Sequence, residues 1–243
     1  MVAPFEIIIV KQYVRIQGGN SMSRIVPIER KCAICGVINE YRGLASTNSF
    51  ERCGPDLDLR PPEMLRSTMP VWIQECPECG YISEDISDPS DVTKEWLKSE
   101  KYHTCDGIVF VSDLAKQFYK YYLINLEDKN PEDAFFAILH AAWVCDDNDD
   151  DVNAKHCREL AIPLATKLIR EEYENQENIK LMRVDLMRRA GQFKELLEEY
   201  SSVQFDEELM NRILEFEIKK AKDKDQCHLV KALIKSLFTE QGT

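Results

Sequence analysis

Two short segments, Cys32-Ala33-Ile34-Cys35-Gly36 and Cys76-Pro77-Glu78-Cys79-Gly80-Tyr81, constrain this chain more than anything else in it. A Cys-x-x-Cys-Gly unit is a tight turn that aims two sulfurs at one point, and its glycine relieves backbone strain there. Two such units, each flanked by β-forming residues, supply the four thiolates of a tetrahedral zinc site. Cys32, Cys35, Cys76 and Cys79 are therefore the expected ligands of a structural Zn2+. Forty residues, 36 to 75, separate the pairs, more than the common spacing of about 15–20. Doubling a loop adds only about 0.6 kcal/mol of closure entropy, whereas structural zinc contributes about 10–16 kcal/mol in finger peptides. The long spacing is no obstacle to one shared site.

The pairs could instead be redox centres. A thioredoxin-like site places one pair at the start of a helix in a βαβ unit. Here there are two, each running into Gly and strand-like residues, so redox catalysis is disfavoured. Zinc release on oxidation, with Cys53 as a nearby spare thiol, is a separate expectation.

Composition narrows the function classes. The chain has 243 residues, 44% of them hydrophobic and 30% charged, as in a soluble globular protein with room for two modest domains. No run approaches eighteen apolar residues, so no membrane-spanning helix is expected. The net charge of −12 is spread along the chain: residues 22–107 carry ten Lys/Arg against fifteen Asp/Glu, and 108–243 carry nineteen against twenty-seven. Neither part has the basic stripe of a nucleic-acid binder, which leaves zinc-ribbon nucleic-acid binding a disfavoured alternative. Nine cysteines with no regular spacing beyond the two pairs, and no secretory signal, point to a reducing cytoplasm rather than a disulfide framework.

Residues 1–21 differ from the rest. The stretch Gln17 to Met22 can be encoded by bases holding a purine-rich GGAGG before the Met22 codon, so 1–21 are expected to be a mis-called extension or a tail. From Met22 the pattern is strand, first knuckle, strand. Pro62 opens a short helix over Glu63 to Arg66, Val71 to Gln74 form a strand into the second knuckle, Tyr81 to Ile86 a strand out of it, and Ser90 caps a short helix through Glu100. Beyond Gly107 the periodicity is helical. One helix is expected over Val109 to Leu126, one from Pro131, and one from Val152 to Tyr173 perturbed at Pro163. Two more flank Gly191, followed by Phe205 to Lys222 and Gln226 to Phe238. The predicted architecture is α+β, a small zinc-ribbon-like β domain over 22–107 followed by an all-α helical domain over 108–243.

Within the forty residues between the pairs, Asp56, Asp58, Arg60, Glu63 and Arg66 form a candidate ligand loop. Alternate carboxylates share one side of an extended stretch, and arginine can clamp a carboxylate or phosphate; the competing reading is a surface loop. The run Asp146 to Asp151 suggests calcium, but an EF-hand loop starting at Asp146 needs Gly where Asp151 stands and Glu where Cys157 stands. It reads instead as an acidic interhelical loop. His103 with Cys105, His156 with Cys157, and Cys227 with His228 are weak candidates, His103 and Cys105 the least so.

Gly191-Gln192-Phe193-Lys194-Glu195-Leu196-Leu197 and Tyr200 resemble the mid-repeat turn of a tetratricopeptide repeat, although Leu196 and Val184 stand where small residues are usual and no 34-residue period recurs. Taken together the chain resembles a bacterial family of unknown function, with paired CxxCG zinc knuckles and a tetratricopeptide-like helical tail. The residues that carry the likeness are Cys32, Cys35, Asp56, Asp58, Arg60, Pro61, Cys76, Pro77, Cys79, Gly80 and Tyr81, with Ala141 to Asp147 and Gly191 in the tail. Ala33 stands where many members have Pro. The resemblance implies an architecture but no reaction. The expected role is a cytoplasmic scaffold or adaptor that binds a protein or peptide, an acidic surface favouring a basic segment. The rival is an enzyme or small-ligand sensor built on the Asp56–Arg66 loop.

Overall fold

The computed structural model describes residues 23–47, 55–62, 64–171 and 175–227. The predicted extension over 1–21, Cys53, Glu63, His228 and nearly all of the helix expected over Gln226 to Phe238 lie outside them. The described residues form two compact units, one of 23–47 with 64–157, the other of 55–62, 158–171 and 175–227. The boundary expected after Gly107 falls inside the first of these. The forty-residue loop is divided too, since residues 55–62 cluster with the C-terminal helices. Small antiparallel sheets accompany a largely helical remainder, an α+β chain.

The cysteine-bearing unit opens with two hairpins. Strand β1 (Arg24–Lys31) pairs antiparallel with β2 (Ile38–Ser46), with Lys31 opposite Ile38 and Val26 opposite Gly43. A Cβ on Gly43 would stand 2.6 Å from Ile28 Cδ1, so any side chain there makes the end of Ile28 shift. Strands β3 (Gln74–Glu75) and β4 (Ile82–Ser83) form a second, two-rung pair. The strands expected over Val71 to Gln74 and Tyr81 to Ile86 shrink to these rungs. Pro62 does not open a helix over Glu63 to Arg66; a 3-10 segment starts at Arg66 and runs to Val71, where Thr68 closes it by donating its hydroxyl to Leu65 O at 2.6 Å.

Ser90 is not a helix cap. Its hydroxyl donates to the Asp128 carboxylate at 2.7 and 2.9 Å, the Asp91 amide donates to the same group at 2.9 Å, and the helix expected through Glu100 is replaced by short 3-10 segments at Trp96–Lys98 and Tyr102–Gly107. The helical part of this unit is a hairpin of α1 (Asp113–Glu127) and α2 (Pro131–Asp147). Pro131 sits at the first position of α2, where its missing N–H costs nothing, and Asn130 accepts from the Asp133 amide at 3.2 Å. His140 is enclosed by rings, with Trp72, Phe118 and Trp143 centroids at 5.2, 5.3 and 4.9 Å. The acidic run closes α2 and opens the next helix. Asp150 accepts from the Asn153 amide at 3.4 Å, which gives it a capping role, and also from the Asn153 side chain at 2.8 Å and the Val111 amide at 3.1 Å.

In the second unit, α3 (Asp151–Arg170, which enters it at Arg158) runs through Pro163 and ends before Tyr173. Then come α4 (Gln176–Ala190), α5 (Phe193–Tyr200) and α6 (Glu208–Lys222). Gly191 adopts φ +83°, and the amides of Gly191 and Gln192 return to Arg188 O and Met187 O at 3.0 and 2.8 Å, the glycine-terminated helix end expected there. Helix α4 buries charge: Arg188 meets Asp185 at 2.7 Å and the Glu217 carboxylate of α6, and donates to the carbonyls of Asp225 and Cys227 at 3.0 Å each. No helix among the described residues is long and apolar enough to cross a membrane.

Candidate metal centre

The two knuckles have the same backbone. In the first, the Cys32 amide donates to Val37 O and the Gly36 amide to Cys32 O, both at 2.9 Å. In the second, the Cys76 amide donates to Tyr81 O at 2.8 Å and the Gly80 amide to Cys76 O at 2.9 Å. Gly36 and Gly80 take φ of +78° and +74°, a left-handed conformation that costs a residue with a Cβ about 1–2 kcal/mol. Five residues of sequence thus build each turn locally. What joins the turns is longer in range: the Ala33 amide donates to Ile86 O at 2.9 Å, and the Arg30 guanidinium meets Asp85 at 2.9 Å.

These contacts bring the four sulfurs of Cys32, Cys35, Cys76 and Cys79 within 4.8 Å of one another. Cys32 Sγ lies 3.7 Å from Cys79 Sγ, and Cys35 Sγ 3.5 Å from Cys76 Sγ. A tetrahedron with metal–sulfur bonds of about 2.3 Å has edges of about 3.8 Å, so the spacing fits one metal ion held by four thiolates. None of the four is in a disulfide. Cys32 and Cys76, the first of each pair, are buried, while Cys35 and Cys79 are half-buried.

Burial pushes the Cys32 and Cys79 thiols up. At Cys35 desolvation works the same way but is outweighed by the Val37 amide and neighbouring thiols, which hold it below its ordinary value. Tyr41 of β2 is pushed up to about 12, first by burial and then by negative charge at Cys76 and Cys32.

A cleft of about 480 Å3 opens on the half-buried pair, and Lys94, Lys98 and Lys120 line it with Cys35 and Cys79. Four thiolates on one divalent cation leave a charge of −2, which cations lining the same cleft offset. Tyr102, a buried wall of the cleft, donates its hydroxyl to Gly80 O, with Lys120 Nζ 5.3 Å from its ring centroid. These residues come from three separate segments, and no spacing in the sequence singles them out. His103 lines the same cleft, but its Nδ1 is engaged with Asp106 at 2.7 Å, and it is not among the four clustered ligands. Cys105 is buried apart from them, His156 stacks on Tyr119 at 6.1 Å, Cys157 is buried and Cys227 is exposed.

The candidate ligand loop is divided. Asp56, Asp58 and Arg60 belong to the helical unit, Arg66 to the cysteine-bearing unit, and Glu63 lies outside the described residues. The first three are buried, at 2%, 2% and 1% exposure, which excludes a solvent-exposed surface loop. The loop closes on itself: the Asp56 amide donates to Arg60 O at 2.9 Å, the Leu59 amide to Asp56 O at 3.0 Å, and the Arg60 amide to Asp58 Oδ1 at 3.3 Å, with Leu59 at φ +62°. Asp58 Oδ2 lies 3.7 Å from Arg189 Nη1 of α4. The arrangement ties the loop to a helix of its own unit.

Compared with known proteins, the chain matches no family model, no curated protein and no solved structure.

Proposed function

We propose that this protein is a zinc-organised binding module: Cys32, Cys35, Cys76 and Cys79 hold one structural Zn2+, and the helical unit presents a surface to a protein or peptide partner in the cytoplasm. The observation that carries the zinc half is the convergence of four sulfurs at the tips of two hairpins. Four thiolates fill a tetrahedron and leave no position for a reactive water, so the metal's role is structural rather than hydrolytic. A tetrathiolate set also suits iron, and the test must separate the two. Metal analysis of the purified chain is expected to give one zinc per molecule, falling to near zero in Cys76→Ser. One iron per chain would overturn the zinc reading.

The partner half rests on the helical hairpins around Gly191, whose stacking leaves grooves of peptide size. Affinity isolation of the zinc-loaded protein at low salt is expected to return a reproducible partner; its failure to do so would overturn this half. The rival reading, a small-ligand or catalytic site on Asp56, Asp58, Arg60, Glu63 and Arg66, is weakened by the burial of its first three members and by the placement of Arg66 in the other unit. Nucleic-acid binding is opposed by the net charge of −12.

A further inference from the structure

From Arg158 onward, α3 turns a stripe at helical spacing, Glu159, Ile162, Pro163, Thr166, Lys167 and Arg170, to an open groove of about 500 Å3. A second pocket of about 330 Å3 shares Thr166 and Arg170 with the first, so the two form one trough within the helical unit. Between residues 159 and 170 it follows α3 for about 16 Å at 1.5 Å per residue, the length of roughly five residues of extended peptide. Ile162 and Pro163 give one end an apolar wall, and Ile169 and Val203 the other.

The second pocket is cationic although the chain is acidic. Three cations, Arg170, Lys180 and Arg183, line it with one carboxylate, Glu199. Arg183 is already committed, donating to Thr166 Oγ1 and Tyr200 Oη at 2.9 Å each and to Glu199 at 2.5 Å, and so braces the pocket wall. Arg170 and Lys180 pair with no carboxylate among the described residues, although Asp and Glu outnumber Lys and Arg by 43 to 31 in the chain. Beside them, Lys167 meets Glu171 only at 3.8 Å between exposed side chains, a weak, solvent-screened contact that a ligand displaces easily.

We infer that this trough binds an acidic and aliphatic peptide segment of a partner protein, its aliphatic side chains on the apolar walls and a carboxylate between Arg170 and Lys180. The inference rests on the reading of the helical unit as a binding module, and it reverses the sign of the partner that net charge suggests. Charges beyond a Debye length of about 8 Å are screened at physiological salt, so the local cations govern the bound state.

The test is selection from a random peptide display library on the full-length, zinc-loaded protein, followed by fluorescence anisotropy with enriched peptides. Enriched sequences are expected to combine Asp or Glu with Leu, Ile or Val. The double variant Arg170→Glu, Lys180→Glu should weaken their binding at least tenfold, and Lys194→Glu, the same charge change on an exposed position of α5, should leave it unaltered. If charge reversal disturbs folding, Arg170→Gln with Lys180→Gln, expected to weaken binding at least threefold, carries the test. Enrichment of Lys- or Arg-rich peptides, or acidic peptides indifferent to both double variants, overturns the acidic trough and leaves the binding-module reading standing. No enrichment of any class overturns both.

Discussion

Each unit of this protein has a polar centre, and the two are built on opposite plans. In the cysteine-bearing unit four thiolates gather at the tips of two hairpins, each pair set by a five-residue turn with its own glycine. In the helical unit Arg188, Asp185 and Glu217 meet across α4 and α6, all at 3% side-chain exposure or less. Taking charges out of water costs several kcal/mol per ion. A metal ion at the first centre would offset that cost; the second centre meets it with one guanidinium shared between two carboxyl groups and two backbone carbonyls. In the first centre each half is preset by a local turn and only the joining of the two turns is long-range, whereas a centre made by helix packing exists only when the whole unit is assembled.

Four experiments break or sharpen that contrast, in order of expected effect. Removing the metal, by chelation or by Cys76→Ser, should abolish a contribution of about 10–16 kcal/mol to the hairpins. Limited proteolysis should then cut within residues 24–46 and 74–83, while far-UV circular dichroism keeps most of its helical signal. Loss of metal with unchanged proteolysis would contradict a structural role. Arg188→Met should destabilise the helical unit by about 3–5 kcal/mol, because it leaves Asp185 and Glu217 buried without the guanidinium they share; urea denaturation measures this, and the metal content should stay at the parent level.

Next comes a pH dependence of the second centre. Burial, then the charge of Asp185, pushes Glu217 up to about 8 from an ordinary 4.5. Its folded value lies above its unfolded one, so its stabilising contribution is complete below about 4.5, declines as pH rises, and is gone above about 8. The urea midpoint of the helical unit should fall across this window, and Glu217→Gln should flatten the decline. An identical slope in the variant would assign it to other groups. The smallest expected effect is at the turns. Gly36→Ala or Gly80→Ala forces a Cβ into a left-handed conformation at about 1–2 kcal/mol, read as a roughly five- to thirtyfold loss in chelator-competition affinity. Gly107→Ala, with nothing within 4 Å, should change neither stability nor affinity measurably.

The parts legible in the sequence share a physical character. Cys-x-x-Cys-Gly, Asn130-Pro131 and Gly191-Gln192 all fix structure through the conformational limits of a few adjacent residues, and the structure places turns, a helix start and a helix end at them. Where several solutions satisfy the same local chemistry, the expectation failed. Ser90 fits a helix cap, but the Asp128 carboxylate, 38 residues away, takes its hydroxyl instead. Val71 to Gln74 have strand-forming residues, yet the 3-10 turn closed by Thr68 occupies their first position.

By itself, then, the amino-acid order determined the two knuckles, the helix punctuation and the acidic character of the chain, because each depends on neighbours in sequence. Only the tertiary structure decided where the Asp56–Arg60 loop belongs, and it placed those residues with the C-terminal helices, buried beside Arg189. It alone also decided that the charges of α4 face inward. A run such as Arg183 to Arg189 reads as a solvated helix face until its partners, Glu199, Glu217 and Asp58, arrive from other segments. Charge is a property of a residue, but whether it is buried depends on what packs over it, and that is set by contacts far apart in the chain.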